Sequence, residues 1–267
     1  MTRRLGRARG AVPAAAGGHG AARRAATSLA SLLVLAFIAC SGTQGLQEHP
    51  RSGLRARHVG TGQRPIVLLH GYSSSPDEWL PFTTTITLPA GWRFVFPEGP
   101  GRGTSGRGRA WWPLDLASHQ GSDGLPDLSR TRPEGLAIAA VAVRTLLDEL
   151  HENTAGSTPI LGGFSQGGMV SAEVAFRSDT PLAALVLLSP TVVDEASWAA
   201  GIRRRKGLRV FLSHGRRDDV LPFEASARLA GTLRGADLDV TWVPFDGGHD
   251  IPAQVVVALN GFLQRVP

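Results

Sequence analysis

Three polar residues that lie far apart in the sequence have the types and settings of a nucleophile, its base and its acid. Ser165 stands in Gly163-Phe-Ser-Gln-Gly167, which fits the pattern G-x-S-x-G between a predicted strand, 159–164, and a predicted helix, 166–177. A turn this sharp has no room for side chains two residues before and after the serine, and it exposes the serine hydroxyl. The pattern therefore predicts that Ser165 is a nucleophile.

The candidate base is His249, in Phe245-Asp-Gly-Gly-His-Asp250. It follows the last predicted strand, 238–243, and precedes the last predicted helix, 252–264. The carboxyl ends of parallel strands are where catalytic groups converge, and a histidine in this place takes the proton of the serine. The chain order of serine, acid and histidine is also the one that this architecture uses.

A triad needs a carboxylate that holds the imidazole in the correct tautomer and stabilises its protonated form. Asp218 and Asp219 are adjacent after the predicted strand 208–213, and Asp194 follows the strand before it. Residue types and order leave the choice among these three open. His214, at the end of the same strand, is predicted to pack structurally.

The tetrahedral oxygen of an acyl-transfer reaction needs two N–H donors. The first buried strand, 65–70, ends in His70-Gly71-Tyr72, and its loop brings the backbone N–H of Tyr72 beside that of Gln166. We expect these two amides to form the oxyanion hole. In the long loop 97–133, the pair Trp111-Trp112 is expected to line an acyl groove, with plain core packing as the alternative.

Short apolar runs alternate with helix-length segments from residue 64 onward. Strands are predicted at 65–70, 92–96, 159–164, 183–188, 208–213 and 238–243, and helices at 135–150, 166–177, 223–233 and 252–264. Such alternation predicts an α/β fold with a doubly wound, mainly parallel sheet. The chain length suits one catalytic domain, at 63–267.

The first part of the chain has the features of an export signal. Six arginines are followed by an apolar stretch, 29–39, which is too short to span a bilayer, and then by Cys40, the single cysteine. We expect 1–39 to be the signal and 40–62 a flexible tether, with an edge strand near 54–58. Cys40 resembles the acylated cysteine of bacterial lipoproteins, which predicts a membrane anchor; plain secretion is the alternative.

The basic composition does not indicate nucleic-acid binding. The chain has a formal charge of +6, and the six arginines of residues 1–39, a segment without Asp or Glu, account for all of it. The folded part is therefore close to neutral overall. A protein that binds the phosphate backbone needs its excess positive charge on the folded surface.

Four motifs together resemble the phospholipase/carboxylesterase family of α/β-hydrolases, which includes acyl-protein thioesterases. They are Leu69-His-Gly71, Gly163-Phe-Ser-Gln-Gly-Gly168, His214-Gly with Asp218 and Pro222, and Gly248-His249. The resemblance covers about 64–266 and implies that Asp218 is the triad acid. It also implies a minimal lid, no metal and no other cofactor. The implied activity is cleavage of small carboxylic esters, thioesters or lysophospholipids through an acyl-enzyme.

Two departures from the family bear on the substrate. The loop after His70-Gly71 continues with unusual residues, and the loop before Trp111 is long and rich in glycine and arginine. Other functions on the same fold stay open: a peptidase, a polyester or cell-wall esterase, or a surface binding protein without activity. The sequence leaves acyl length and oligomeric state undetermined.

Overall fold

The computed structural model describes residues 45–121, 124–154 and 156–267. Ten strands lie in these ranges. They are β1 (Gln47–His49), β2 (Leu54–Val59), β3 (Arg64–Leu69), β4 (Trp92–Pro97), β5 (Gly101–Arg102), β6 (Arg109–Ala110), β7 (Ile160–Phe164), β8 (Ala184–Leu188), β9 (Arg209–Gly215) and β10 (Asp239–Phe245).

Six helices accompany the strands in the described ranges. They are α1 (Phe82–Thr85), α2 (Glu134–Glu152), α3 (Gln166–Arg177), α4 (Glu195–Ile202), α5 (Phe223–Gly235) and α6 (Ala253–Leu263). Short 3-10 turns lie at Pro76–Trp79, Thr104–Gly106 and Ala117–His119.

Eight of the strands form one sheet in the order β1-β2-β4-β3-β7-β8-β9-β10. The pairs β1–β2 and β2–β4 are antiparallel, whereas every pair from β4 to β10 is parallel. The prediction of an α/β fold with a mainly parallel, doubly wound sheet is confirmed. All of the catalytic candidates follow carboxyl ends of parallel strands and so meet at one edge of the sheet.

The central strands are apolar on both faces because helices cover both faces of the sheet. In β3, Val67 and Leu69 belong to a core cluster that also contains Leu146 of α2. Ile66 belongs to a second cluster with Phe262 of α6. The strand ends are thereby anchored from both sides.

The edge strand predicted near 54–58 is confirmed as β2, but the predicted tether 40–62 did not include its partner strand β1. Residues 47–59 form the hairpin β1–β2, which closes one edge of the main sheet. Leu54 is 2 % exposed and Ala56 is fully buried, so alternate residues of β2 enter the core. Cys40 and the predicted signal lie outside the described residues.

The long loop 97–133 is not without structure. Its strands β5 and β6 form a small antiparallel ribbon. The N–H of Arg109 donates to the carbonyl of Ser74 at 2.7 Å, which ties the ribbon to the loop after β3. Among the helices of the described residues, none has the length and apolarity that a membrane span requires.

Candidate active site

Ser165 occupies the turn between β7 and α3 in a strained backbone conformation, with φ 53° and ψ −119°. Its N–H donates to the carbonyl of Leu188 at 2.8 Å, and its own carbonyl accepts from Met169 at 3.1 Å. The hydroxyl forms no cap to the helix. A serine held here against its backbone preference, with a hydroxyl that does not cap the helix, has the geometry of a nucleophile elbow.

The two flanking glycines are required by close backbone approach. A Cβ on Gly163 would lie 2.5 Å from the carbonyl carbon of Gly167, and a Cβ on Gly167 would lie 2.2 Å from the carbonyl oxygen of Leu69. Backbone cannot yield at such distances. Helix α3 therefore approaches β7 and β3 this closely only because both positions lack a side chain.

His249 lies in the loop between β10 and α6 and contacts Asp218, which follows β9. The His249 Nδ1 is 2.6 Å from Asp218 Oδ2. The two loops are bonded to each other, since the N–H of Arg217 donates to the carbonyl of Gly247 at 2.9 Å. The ring of His249 also lies over Phe164, with ring centroids 4.8 Å apart. This packing holds the imidazole beside Phe164, the residue that precedes Ser165.

Asp218 is a buried carboxylate, and its environment keeps it ionised. Burial by itself raises the pKa of Asp218, but hydrogen bonds from His214, from His249 and from the N–H of Leu221 outweigh burial and hold the pKa well below its usual range. The N–H groups of Val220 and Leu221 both donate to Oδ1 at 2.9 Å. The second carboxylate oxygen is left for the histidines.

His214 is a partner of Asp218 that the sequence did not reveal. Its Nε2 lies 3.0 Å from Asp218 Oδ2 and 3.1 Å from the carbonyl of Leu221, so Nε2 carries a proton. Its Nδ1 is 2.7 Å from the hydroxyl of Ser226. The expectation that His214 packs structurally holds, yet it also supports the carboxylate that faces His249. The short spacing of four residues between His214 and Asp218 was the sequence feature that could have indicated this contact.

The other two candidate carboxylates are placed elsewhere. Asp219 is exposed to solvent. Asp194 starts α4, where its side chain accepts from the N–H of Ser197 and pairs with Arg132 at 3.6 Å. Geometry brings only Asp218 to His249 among these three.

The loop after β3 approaches Ser165 closely. A Cβ on Gly71 would lie 3.6 Å from the Cβ of Ser165. The carbonyl of Gly71 accepts from His70 Nδ1 at 2.7 Å and from the N–H of Ser74 at 3.3 Å. A carbonyl bonded in this way fixes the plane of the peptide whose N–H belongs to Tyr72.

The buried ring of His70 has a defined tautomer. The N–H of Gly99 donates to His70 Nε2 at 2.9 Å, so the proton of the neutral ring is on Nδ1. Burial lowers the pKa of His70, which favours this neutral form. His70 is therefore a fixed donor to the Gly71 carbonyl.

Trp111 and Trp112 do not line a groove, and that prediction is corrected. They are 2 % and 3 % exposed and belong to the hydrophobic core. The side chain of Gln166 accepts from the N–H of Trp111 and donates to the carbonyl of Trp112, both at 2.9 Å. The indole N–H of Trp111 donates to the carbonyl of His70 at 2.9 Å. The pair thus links Gln166 to the loop that carries Tyr72.

Two cavities adjoin the histidine. A larger one of about 490 Å³ is lined by Ser165 and His249 together with Tyr72, Leu114, Leu116, Met169 and Leu221. A smaller one of about 230 Å³ is lined by His249 with Trp79, Phe82, Phe164 and Ile251. Nothing in the sequence patterns pointed to the aromatic residues 82 and 164. Within the described residues there is no group of three or more side chains suited to hold a metal ion.

The chain is similar in sequence to acyl-protein thioesterases. The chain is 25% identical to acyl-protein thioesterase 1 of Mycosarcoma maydis over 240 residues, covering 82% of this chain and 95% of the relative. It is 24% identical to acyl-protein thioesterase 1 of Gibberella zeae over 206 residues, covering 73% of this chain and 84% of the relative.

Solved structures give the same result for the fold. The crystal structure of esterase PE8 matches with a TM-score of 0.67 and 25% identity, covering 84% of this chain and 99% of that one. Acyl-protein thioesterase 2 of Zea mays matches with a TM-score of 0.63 at 22% identity, over 79% of this chain and 97% of that one. The phospholipase/carboxylesterase family profile matches residues 60–266. The chain belongs to the phospholipase/carboxylesterase family of α/β-hydrolases.

Proposed function

We propose that this protein is a serine hydrolase that cleaves carboxylic esters or thioesters through an acyl-enzyme on Ser165. The observation that carries the proposal is the 2.6 Å contact of His249 Nδ1 with the buried Asp218, at a cavity that Ser165 also lines. A histidine bonded through Nδ1 presents Nε2 as the proton acceptor. Family membership adds independent support for ester hydrolysis.

The reaction proceeds in two steps. In the first step, His249 takes the proton of the Ser165 hydroxyl while the Ser165 oxygen bonds to the substrate carbonyl carbon. The tetrahedral intermediate then collapses as His249 gives the proton to the leaving oxygen or sulfur. Water then gives a proton to His249 as it attacks the acyl-enzyme carbonyl carbon. The second tetrahedral intermediate breaks its bond to the Ser165 oxygen, and His249 returns the proton to that oxygen as the acid is released. The ionised Asp218 stabilises the protonated imidazole in both steps.

The amides of Tyr72 and Gln166 stabilise the tetrahedral oxygen in this proposal. Gln166 is the first residue of α3, so its N–H is at the positive end of the helix dipole. The peptide plane before Tyr72 is held by His70, as described above. One such donor contributes about 3–4 kcal/mol to the transition state.

The decisive experiment compares wild type with Ser165→Ala on short p-nitrophenyl esters and on a fluorophosphonate probe. We expect kcat to fall by at least about 10⁴-fold and labelling to disappear. Ser171→Ala is the matched control, since that hydroxyl bonds within α3 and should leave labelling intact. Labelling of the Ser165→Ala protein would refute the proposed nucleophile, and an unlabelled wild type would favour a binding protein.

We also propose that the protein is exported and anchored through acylated Cys40. The support is the sequence of residues 1–40 alone: arginines, a short apolar stretch and one cysteine. Mass spectrometry of the mature N-terminus should find diacylglycerol on Cys40, and Cys40→Ala should release the protein from membranes. An unmodified mature terminus at another residue would show plain secretion.

A further inference from the structure

The smaller cavity adjoins His249, and Ser165 is not among its described lining residues. It is lined by the residues that follow the histidine, Asp250 and Ile251, whereas Ser165 and Met169 line the larger cavity. The two cavities share five lining residues: Gly71, Ser74, Glu78, Phe164 and His249. They therefore meet beside the histidine, so a substrate held at Ser165 can extend into each.

The chemistry decides which part enters which cavity, and this step rests on the proposed function. His249 must hand its proton to the leaving oxygen, so that oxygen and the alcohol attached to it lie on the histidine side. The acyl chain then extends into the larger cavity along Leu114, Leu116 and Met169. The smaller cavity is left for the alcohol.

The wall of the smaller cavity is mainly aromatic. Trp79 packs edge-on against Phe82, with ring centroids 5.2 Å apart, and Phe164 closes the side next to His249. Trp79 is 4 % exposed, and within the described residues its indole N–H has no hydrogen-bond partner. Aromatic faces bind organic cations, and tryptophan binds them best.

The fixed charges that line the cavities are all negative. Glu78 lines both cavities, Asp250 lines the smaller and Asp115 the larger, and neither cavity has Lys or Arg among its described lining residues. None of these three carboxylates takes part in an ion pair within the described ranges. Glu78 accepts a hydrogen bond from the hydroxyl of Ser74 at 2.6 Å, which fixes one of them at the rim.

We propose that the smaller cavity binds the alcohol part of the substrate and selects an alcohol that carries an organic cation, such as a quaternary ammonium group. Trp79, Phe82 and Phe164 supply the aromatic faces, and Glu78 and Asp250 supply the opposite charge. A volume of about 230 Å³ holds a group the size of a quaternary ammonium alcohol. The same charges disfavour anionic leaving groups.

The test uses two esters of one acid that differ in charge and not in shape. Butyrylcholine and 3,3-dimethylbutyl butyrate carry the same acyl chain and leaving groups of the same outline, one cationic and one neutral. We expect the wild-type kcat/KM for the choline ester to exceed that for the neutral ester by at least about fivefold. The preference should shrink as salt rises from about 0.01 M to about 1 M.

Charge-removing variants identify the residues responsible. Glu78→Gln and Asp250→Asn should each lower the ratio of the two kcat/KM values, and the double variant should bring it close to unity. The control is Glu48→Gln, an exposed carboxylate on β1, which should keep the wild-type ratio. A ratio measured within one protein sample is independent of the fraction that is folded.

The outcomes separate this proposal from the proposed function. A wild-type enzyme that hydrolyses both esters at equal rates, or prefers the neutral one, overturns the cationic selectivity and leaves ester hydrolysis intact. A preference that survives in the double variant overturns the role of Glu78 and Asp250. Failure to hydrolyse either ester or any p-nitrophenyl ester overturns the proposed function itself.

Discussion

The indole N–H of Trp111 donates to the carbonyl of His70, at 2.9 Å. The same segment binds the Gln166 side chain through the backbone of Trp111 and Trp112. His70, two residues before Tyr72, and Gln166, the first residue of α3, are therefore both bonded to the buried segment Trp111-Trp112. Both amides of the proposed oxyanion hole depend on it.

Replacing Gln166 with leucine should test this connection. The change leaves the buried N–H of Trp111 and carbonyl of Trp112 without the Gln166 side chain, which costs about 2–4 kcal/mol of the free energy of unfolding. We expect kcat on p-nitrophenyl butyrate to fall by about tenfold or more, with KM little changed. Gln264→Leu, at an exposed bond to Thr87, is the control. Lost stability with unchanged kcat would contradict the link to catalysis.

Two substitutions of His70 distinguish its two ring nitrogens. Asparagine can still donate from about the position of Nδ1 to Gly71, whereas glutamine reaches about the position of Nε2 and its partner Gly99. Because the Gly71 carbonyl sets the peptide plane before Tyr72, we expect His70→Asn to keep about tenfold more kcat than His70→Gln. Steady-state kinetics on one ester measure this. Equal kcat values, or the reverse order, would exclude the proposed positioning role.

Removing the charge of Asp218, the proposed triad acid, should lower activity far more than removing the charge of its neighbour. Asp218→Asn no longer stabilises the protonated His249 or fixes its tautomer, and we expect kcat to fall by about 10⁴-fold. Asp219 is adjacent and exposed, so Asp219→Asn should change kcat by less than about twofold. Active-site titration with a fluorophosphonate corrects for inactive protein. A severe loss in the Asp219 variant would reverse the assignment.

The sharp turn at Ser165 and the main strands were predictable because their signals are local. G-x-S-x-G needs only five residues, and the backbone contact of Gly163 with Gly167 lies within them. The apolar run of β3 likewise predicts a strand that is buried on both faces. Such features depend on neighbouring residues in the chain, so they can be recognised without the tertiary structure.

The features that were missed depend on contacts between distant residues. Trp111 is an aromatic residue in a long loop, which suits a groove. Only its hydrogen bond to Gln166, 55 positions away, shows that it connects this loop to α3. Strand β1 has three residues, too few for an alternating pattern, and is defined by pairing with β2. Helix α4 has eight residues and buries Trp198 and Ile202, which are too few apolar positions to predict a helix from spacing alone.

The edge hairpin should make the fold sensitive to acid through His58. In β2, His58 Nε2 lies 3.1 Å from His49 Nε2, and the two rings stack with centroids 5.3 Å apart. Burial, then the charges of His49 and Arg93, lowers the pKa of His58 to about 4. The unfolded chain binds a proton near pH 6.5, so it takes up the proton first as the pH falls.

The free energy of unfolding should therefore be highest above about pH 6.5 and should decrease by on the order of 2 kcal/mol as the pH falls to about 4. Urea denaturation at a series of pH values measures this decrease. His58→Gln has no titrating ring at this place and should lose that part of the pH dependence, while His151→Gln, exposed on α2, should retain it. A wild-type curve that parallels the His58→Gln curve between these two pH values would show that the hairpin does not sense acid.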